Sequence, residues 1–377
     1  MNKLVLIGNG FDLAHDLKTK YTDFLLWYIN KVFRAFKSSL NYDDGLMKMF
    51  GYRNFPENMA EFLTVTEFLE QMNLYHGQGV TYGFHHPFFT SLIKKNHKNN
   101  WVDIEAHYYI ELIKLYKKTE SPNYTGDLYY IENDVDKLNT CFELIKKQLS
   151  EYLTEIDGYA KQKNAEIDNH ISSLIRTTHY NNFRNLTNPS AGPQQEIHFL
   201  NFNYTSTIEQ YIDAIEGYVD KNAIKDFCKI NYIHGKLNDK DNPIIFGYGD
   251  EMDSYYKKIE TLNSNKFLQN IKSFGYFRTG NYQSFSSLIN YKGGRFEVHV
   301  MGHSCGLSDR ILLNSIFEHP NCVSIKIYYH QKSETENDFF EKTQEISRHF
   351  TAKGKEKMRT TIVSFQDSKP LTSFSRT

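Results

Sequence analysis

The sequence predicts an α/β fold: a Rossmann-like, mostly parallel sheet flanked by helices, with a large helical insertion after the first strand. Three observations predict it. The apolar tetrad Leu4-Val5-Leu6-Ile7 runs directly into Gly8-Asn9-Gly10 at the amino terminus. Strand and helix patterns alternate from about residue 197 onward, and the sequence between about 20 and 185 is mostly helical in pattern. The first strand must join the later ones, so residues 1–19 and 186–377 are expected to form one α/β domain, with 20–185 inserted into it.

Taken in order, residues 4–7 lack polar alternation, which suits a strand buried on both faces of a parallel sheet. Gly8 and Gly10 permit a tight turn and close approach of backbone N–H groups to a ligand. A helix starting near Asp12 would aim its positive end at that turn, an arrangement that suits a phosphate. Gly8-Asn9-Gly10 lacks the third glycine of a full dinucleotide fingerprint, so alone it also fits an ordinary strand–helix corner.

In the helical block, 21–29 and 135–159 are the clearest amphipathic or apolar segments. Residues 75–87, which include His76, Gly77, Gly79, His85, His86 and Pro87, read as an irregular loop. Residues 181–195, with Pro189 and Pro193, mark a boundary. Beyond it, 197–203 is a strand, followed by a helix over 205–216 capped by Thr205 or Ser206. Strands follow at 229–234, 244–246 and 296–301, with helices and loops over 251–290 and a helix at 307–317. Residues 323–329, a helix around 335–349, and 360–365 complete the alternation.

Composition narrows the function class. A net charge of −1 over 377 residues gives no global electrostatic reason for a nucleic-acid or acidic-lipid partner. Forty per cent hydrophobic and 15% aromatic residues support a packed core. Cys141, Cys228, Cys305 and Cys322 form no C-x-x-C pair, so their spacing supports neither a disulfide framework nor a zinc site. Without a cleavable leader ahead of the first strand, or an apolar run long enough for a bilayer, the expectation is a soluble cytoplasmic protein with no membrane partner.

Open α/β sheets bind ligands at the carboxyl ends of their strands. Four predicted strands end in related sequence: Gly8-Asn9-Gly10, Asn203-Tyr204-Thr205, His234-Gly235, and Gly302-His303-Ser304 followed by Asp309. Each has an ordinary reading: Asn and Ser as turn formers or helix caps, His before Gly as a satisfied turn residue. Their expected coincidence at one sheet edge favours a ligand site.

This set, in this order, resembles the sirtuin-like NAD-binding superfamily. More closely, the opening from Leu6-Ile7-Gly8-Asn9-Gly10-Phe11-Asp12 to His15, with Leu17-Lys18-Thr19 and Tyr21-Thr22-Asp23-Phe24, looks like that of the bacteriophage abortive-infection AbiH family. Trp101-Val102-Asp103-Ile104-Glu105 also looks like that family's pattern. Two departures stand out: Asp16 where such openings often carry Gly, and Thr205 where the strand-end pattern carries Asp. Deacylase sirtuins carry a four-cysteine zinc module that these cysteines cannot build, which argues against deacylation.

The resemblance implies a phage-defence protein that hydrolyses NAD to nicotinamide and ADP-ribose, with NAD as substrate. A phage or host trigger protein is then a partner, and a homo-oligomer stays open. The pyrophosphate is expected over residues 8–10, with His234 as base and Asn203 holding a ribose hydroxyl or water. Gly8, Asn9, Gly10, Phe11, Asp12, Tyr204, Gly235, Gly302, Ser304 and Asp309 form the nucleotide-binding set, Ser304 and Asp309 on the adenosine side. The alternative is a nucleotide-binding sensor that performs no chemistry. A nuclease fits less well, given the near-neutral charge and no clustered acidic metal site. Asp103 and Glu105, two apart on a helix, do not share a face and read as a solvated pair flanking a buried Trp101. His76, His85 and His86 lack metal-ligand spacing, so no metal is assigned.

Overall fold

Strand β1 (Asn2–Ile7) is central, and residues 3–7 are buried on both faces, as its unbroken apolar run requires. The computed structural model describes residues 1–51, 60–75, 79–99, 103–159, 162–187, 194–213, 224–290 and 294–374. After β1 come α1 (Asn9–Leu13), α2 (Tyr21–Ser39), β2 (Asn41–Asp43), β3 (Met47–Gly51), α3 (Val65–Tyr75) and β4 (Val80–Phe84). The block continues with α4 (Pro87–Asn99), α5 (Ile104–Thr119), α6 (Tyr129–Asp157) and α7 (Ala165–Thr187). The sheet then resumes with β5 (Ile197–Asn201), α8 (Glu209–Asp213), β6 (Cys228–Tyr232), β7 (Phe296–Met301), β8 (Cys322–Tyr329) and β9 (Lys369–Pro370), with further helices between β6 and β9.

The main sheet has the order β6-β5-β1-β7-β8-β9, and every pairing in it is parallel. Strand alternation sorts the side chains of β1 onto two faces. Leu4 and Leu6 pack with Leu200, Val298, Val300 and with Leu312, Leu313 and Ile316 of the helix Arg310–Phe317. Val5 and Ile7 pack with Ile197, Phe199 and with Ile167, Ile171 and Ile175 of α7. Helices thus cover both faces, and the α/β expectation holds. Each such fully buried side chain contributes about 1.5–3 kcal/mol relative to exposure.

A second core, around Phe24, Phe33, Phe36, Phe68, Tyr108 and Phe142, holds α2 to α6 together. This block is not wholly helical. Strands β2, β3 and β4 form an antiparallel sheet, and β4 lies in the segment expected to be a loop. Val80-Thr81-Tyr82-Gly83-Phe84 has period-two character, and Tyr82 and Phe84 sit opposite Met49 and Met47. His76 and Gly77 of that segment lie outside the described residues, as do Trp101 and the boundary residues Pro189 and Pro193.

Other expectations change in detail. Helix α1 begins at Asn9, ahead of Asp12, and spans five residues. No helix starts at Thr205, because its side chain turns inward to Asp12; α8 starts at Glu209, and residues 214–216 lie outside the described residues. Residues 244–246 form no strand: the Ile245 N–H donates to the His234 carbonyl, folding the segment back onto the loop after β6. The helix expected around 335–349 covers Phe339–Ser347. Residues 360–361 end the helix Lys355–Thr361, and Ile362 makes a single bridge to Ile325 before β9 completes the sheet. Among the described residues no helix is long and apolar enough to cross a membrane.

Candidate functional site

The carboxyl ends of β1, β5, β6 and β7 converge on one cavity of about 410 Å³, within the range of small-molecule sites. Gly8, Asn9, Asp12, Asn203, Tyr204, Thr205, His234, His303, Ser304 and Asp309 line it from the sheet side. The helical block supplies the facing wall through Tyr21, Asp103 and Glu105, and Lys272 enters from the helix Lys272–Gly275. Of the predicted set, Gly10, Phe11, Gly235 and Gly302 do not reach the cavity. Phe11 is wholly buried in the core and packs edge-on against Tyr211.

The glycines serve a close crossing of the β1 and β7 turns. A Cβ on Gly8 would lie 2.5 Å from His303 Cα, and one on Gly10 would lie 2.8 Å from the Gly302 carbonyl oxygen. Gly302 has φ +73, and a Cβ there would lie 2.6 Å from the Gly10 carbonyl carbon. Gly8 N–H donates to the Met301 carbonyl, Gly10 N–H to that of Gly302, and Phe11 N–H to that of Gly8. The N–H groups of Gly8, Gly10 and Phe11 are therefore engaged within the protein, while Gly8 and Asn9 still line the cavity. Gly235, at φ +88, turns the chain after β6 against Pro243.

On the β5 side, the Asn203 amide nitrogen donates to the Gly8 carbonyl at 3.0 Å, which leaves its amide oxygen as the acceptor on that side chain. Tyr204 donates to the Ile245 carbonyl at 3.1 Å, and burial raises its pKa. Asp12 is 1% exposed; its Oδ2 accepts from the Thr205 hydroxyl at 2.6 Å. Its Oδ1 is buried without a hydrogen-bond partner among the described residues. Burial pushes the Asp12 carboxyl up to about 6, against the donors Thr205 and Thr207 that favour its ionised form.

A buried ion network forms the opposite side. Lys272 Nζ lies 2.8 Å from Asp309 Oδ1 and 3.1 Å from Glu105 Oε1. Asp309 Oδ1 also faces His234 Nε2 at 3.2 Å, and Asp309 Oδ2 faces His303 Nε2 at 3.7 Å. The Tyr276 hydroxyl is 3.3 Å from His234 Nε2. Burial opposes the Asp309 charge, but Lys272 and His234 hold its pKa well below the ordinary carboxylate range. Burial likewise works against the Lys272 charge, and the two carboxylates more than offset it, so its pKa is raised. Burial lowers the pKa of His234 and brings His303 down to about 3. His303 Nδ1 accepts from the Cys305 N–H, so the neutral ring carries its proton on Nε2, facing Asp309.

Asp309 lines the cavity with its Oδ1 held by Lys272 and His234, and one expectation is corrected here. Glu105 is not solvated: it is 7% exposed, accepts from Gly247 N–H at 3.0 Å and pairs with Lys272, and burial raises its pKa. Asp103 caps α5 by accepting from the Ala106 N–H at 3.0 Å. Ser304 is exposed at the cavity rim.

Lys272 carries no motif signal, sitting in a stretch of helices and loops. His303 is the middle residue of the Gly302-His303-Ser304 strand end, where the sequence signal lies in the flanking glycine and serine. The model of one protein family, described as Bacteriophage abortive infection AbiH, matches residues 4–331. No curated protein and no solved structure matches the chain.

Proposed function

The chain belongs to the bacteriophage abortive infection AbiH family, and we propose that it serves abortive infection through a sirtuin-like site that hydrolyses NAD to nicotinamide and ADP-ribose. The observation that carries this reading is the meeting of Gly8, Asn203, His234 and Ser304, from four neighbouring parallel strands, around one cavity.

Breaking the nicotinamide–ribosyl bond sends its electron pair to the pyridinium nitrogen, so a neutral leaving group departs without acid help. The ribosyl carbon becomes cationic, and water must then reach it inside a site shielded from bulk solvent. Carboxylates in the walls suit the transient positive charge. The Asn203 amide oxygen orients a ribose hydroxyl or the water. His234, kept neutral by burial, is the base of this reading and meets a ligand hydroxyl where the Tyr276 hydroxyl now lies, with Lys272 holding the Asp309 carboxylate beside the ring. Ser304 at the rim meets the adenosine half.

Purified protein incubated with NAD tests the reading. The expected result is nicotinamide release by the unmodified chain and its loss in His234→Ala and Asn203→Ala, each folded and still binding nucleotide.

One observation favours a second reading, a nucleotide-binding sensor without chemistry. His234 Nε2 already faces Tyr276 and Asp309, and the amides of Gly8 and Gly10 are already committed. Tight NAD binding with no turnover, and cell toxicity unaffected by His234→Ala, would establish it.

A further inference from the structure

We propose that Asp12 is a catalytic residue, its Oδ1 taking the proton of the water that attacks the ribosyl carbon. The proposal rests on the NAD-hydrolysis reading and assigns the reaction a proton acceptor other than His234.

Four carboxylates line the cavity, and three are engaged. Asp103 caps α5; Glu105 accepts from Gly247 N–H and pairs with Lys272; Asp309 pairs with Lys272 and His234. Asp12 differs. Only its Oδ2 is engaged, by the Thr205 hydroxyl, and Oδ1 is the one buried carboxylate oxygen without a partner among the described residues. Thr205, Thr207 and Asn203 lie beside Asp12, the Asp157 carboxylate adds negative charge, and no cation pairs with Asp12 among the described residues. A buried carboxylate without a cation is costly to the fold, and such groups cluster where chemistry requires them.

His234 is the weaker candidate for the same proton. Its Nε2 is opposed by Asp309 and Tyr276, and its other ring nitrogen is drawn to the Phe202 backbone. Asp12 and Asn203 both face the cavity beside the Gly8 turn, so one water can be oriented by the amide oxygen and deprotonated by the carboxylate. The step balances. The water oxygen bonds to the ribosyl carbon as the carbon–nitrogen bond breaks. The electron pair leaves on nicotinamide, and the water proton passes to Asp12 Oδ1 and then to solvent. Asp12 reacts only when ionised, so turnover should rise with pH through its pKa, which burial pushes up to about 6.

The test measures nicotinamide release from pH 5 to 9, with NAD affinity by calorimetry, for the unmodified chain, Asp12→Asn and Thr205→Val. Asp12→Asn should bind NAD within about threefold of the unmodified chain and lose at least about 100-fold in kcat, the size of a lost general base. Thr205→Val keeps the carboxylate but removes a donor that favours its charge, so its acid limb should move to higher pH. A kcat for Asp12→Asn within threefold of the unmodified chain overturns the proposal, as does an acid limb unmoved in Thr205→Val. If Asp12→Asn loses binding and turnover in proportion, Asp12 is a binding residue and the proposal fails. NAD bound but not cleaved by the unmodified chain defeats the hydrolysis reading itself, and this proposal with it.

Discussion

Lys272 and Asp309 form a buried ion pair at 2.8 Å, with the lysine 2% exposed and the aspartate 8%. Through the same oxygen Asp309 holds His234, and through the same ammonium Lys272 holds Glu105 of α5. One lysine thus ties the helical block to the histidine at the end of β6.

Lys272→Met should destabilise the protein by about 3–5 kcal/mol, because it leaves two carboxylates buried without their cation. Urea denaturation at neutral pH measures it. A loss under about 1 kcal/mol would mean that the network does not hold the site.

The link between the helical block and the sheet has its own measurement. A double-mutant cycle on Glu105→Gln and Lys272→Met should give a coupling of about 0.5–3 kcal/mol, the range for side chains in one network. Additivity would place Glu105 outside it.

Asp12 sets a pH dependence of stability. Its folded-state pKa is raised from 3.8 to about 6, so between those values the folded chain holds a proton that the unfolded chain releases. The contribution is fully present below 3.8 and lost as pH rises through 6. Asp12→Asn should flatten this fall and stabilise the folded chain by up to about 3 kcal/mol at pH 7, from 1.36 kcal/mol per unit. Thermal melts from pH 4 to 7 report it, and an unchanged slope would contradict it. A variant more stable yet less active is the expected trade-off for a reactive group.

Gly302 and Gly126 separate backbone strain from crowding. Both have positive φ, +73 and +84, so alanine costs each about 1–2 kcal/mol for the left-handed conformation. Only Gly302 is also crowded, against the backbone of Gly10 and Phe11; nothing lies within 4 Å of a Cβ on Gly126. Gly302→Ala should therefore lower the melting temperature well beyond Gly126→Ala. Equal effects would contradict the close crossing of the β1 and β7 turns.

Much of the frame is legible in the sequence. Residues 4–7 announce a strand buried on both faces, and Asn203, His234 and Gly302 each end an apolar run, so placing those runs in one parallel sheet also places their ends together. What is not legible depends on distant partners. Glu105 reads as a surface carboxylate because its lysine lies 167 residues away along the chain. Sequence reveals the glycines of the turn but not the carbonyls of Met301 and Gly302 that take their N–H groups. Strands β2 to β4 escape notice because they span only three to five residues, and β4 is flanked by the Gly and His residues of a turn-rich segment.

The most direct measurement of the central claim is a structure of the protein with an uncleavable NAD analogue bound. The account predicts the ribosyl carbon within the cavity, beside Asn203, His234 and Asp12, with the adenosine half running out past Ser304. Nucleotide bound elsewhere, or with that carbon on the far side of the sheet from His234, would contradict it.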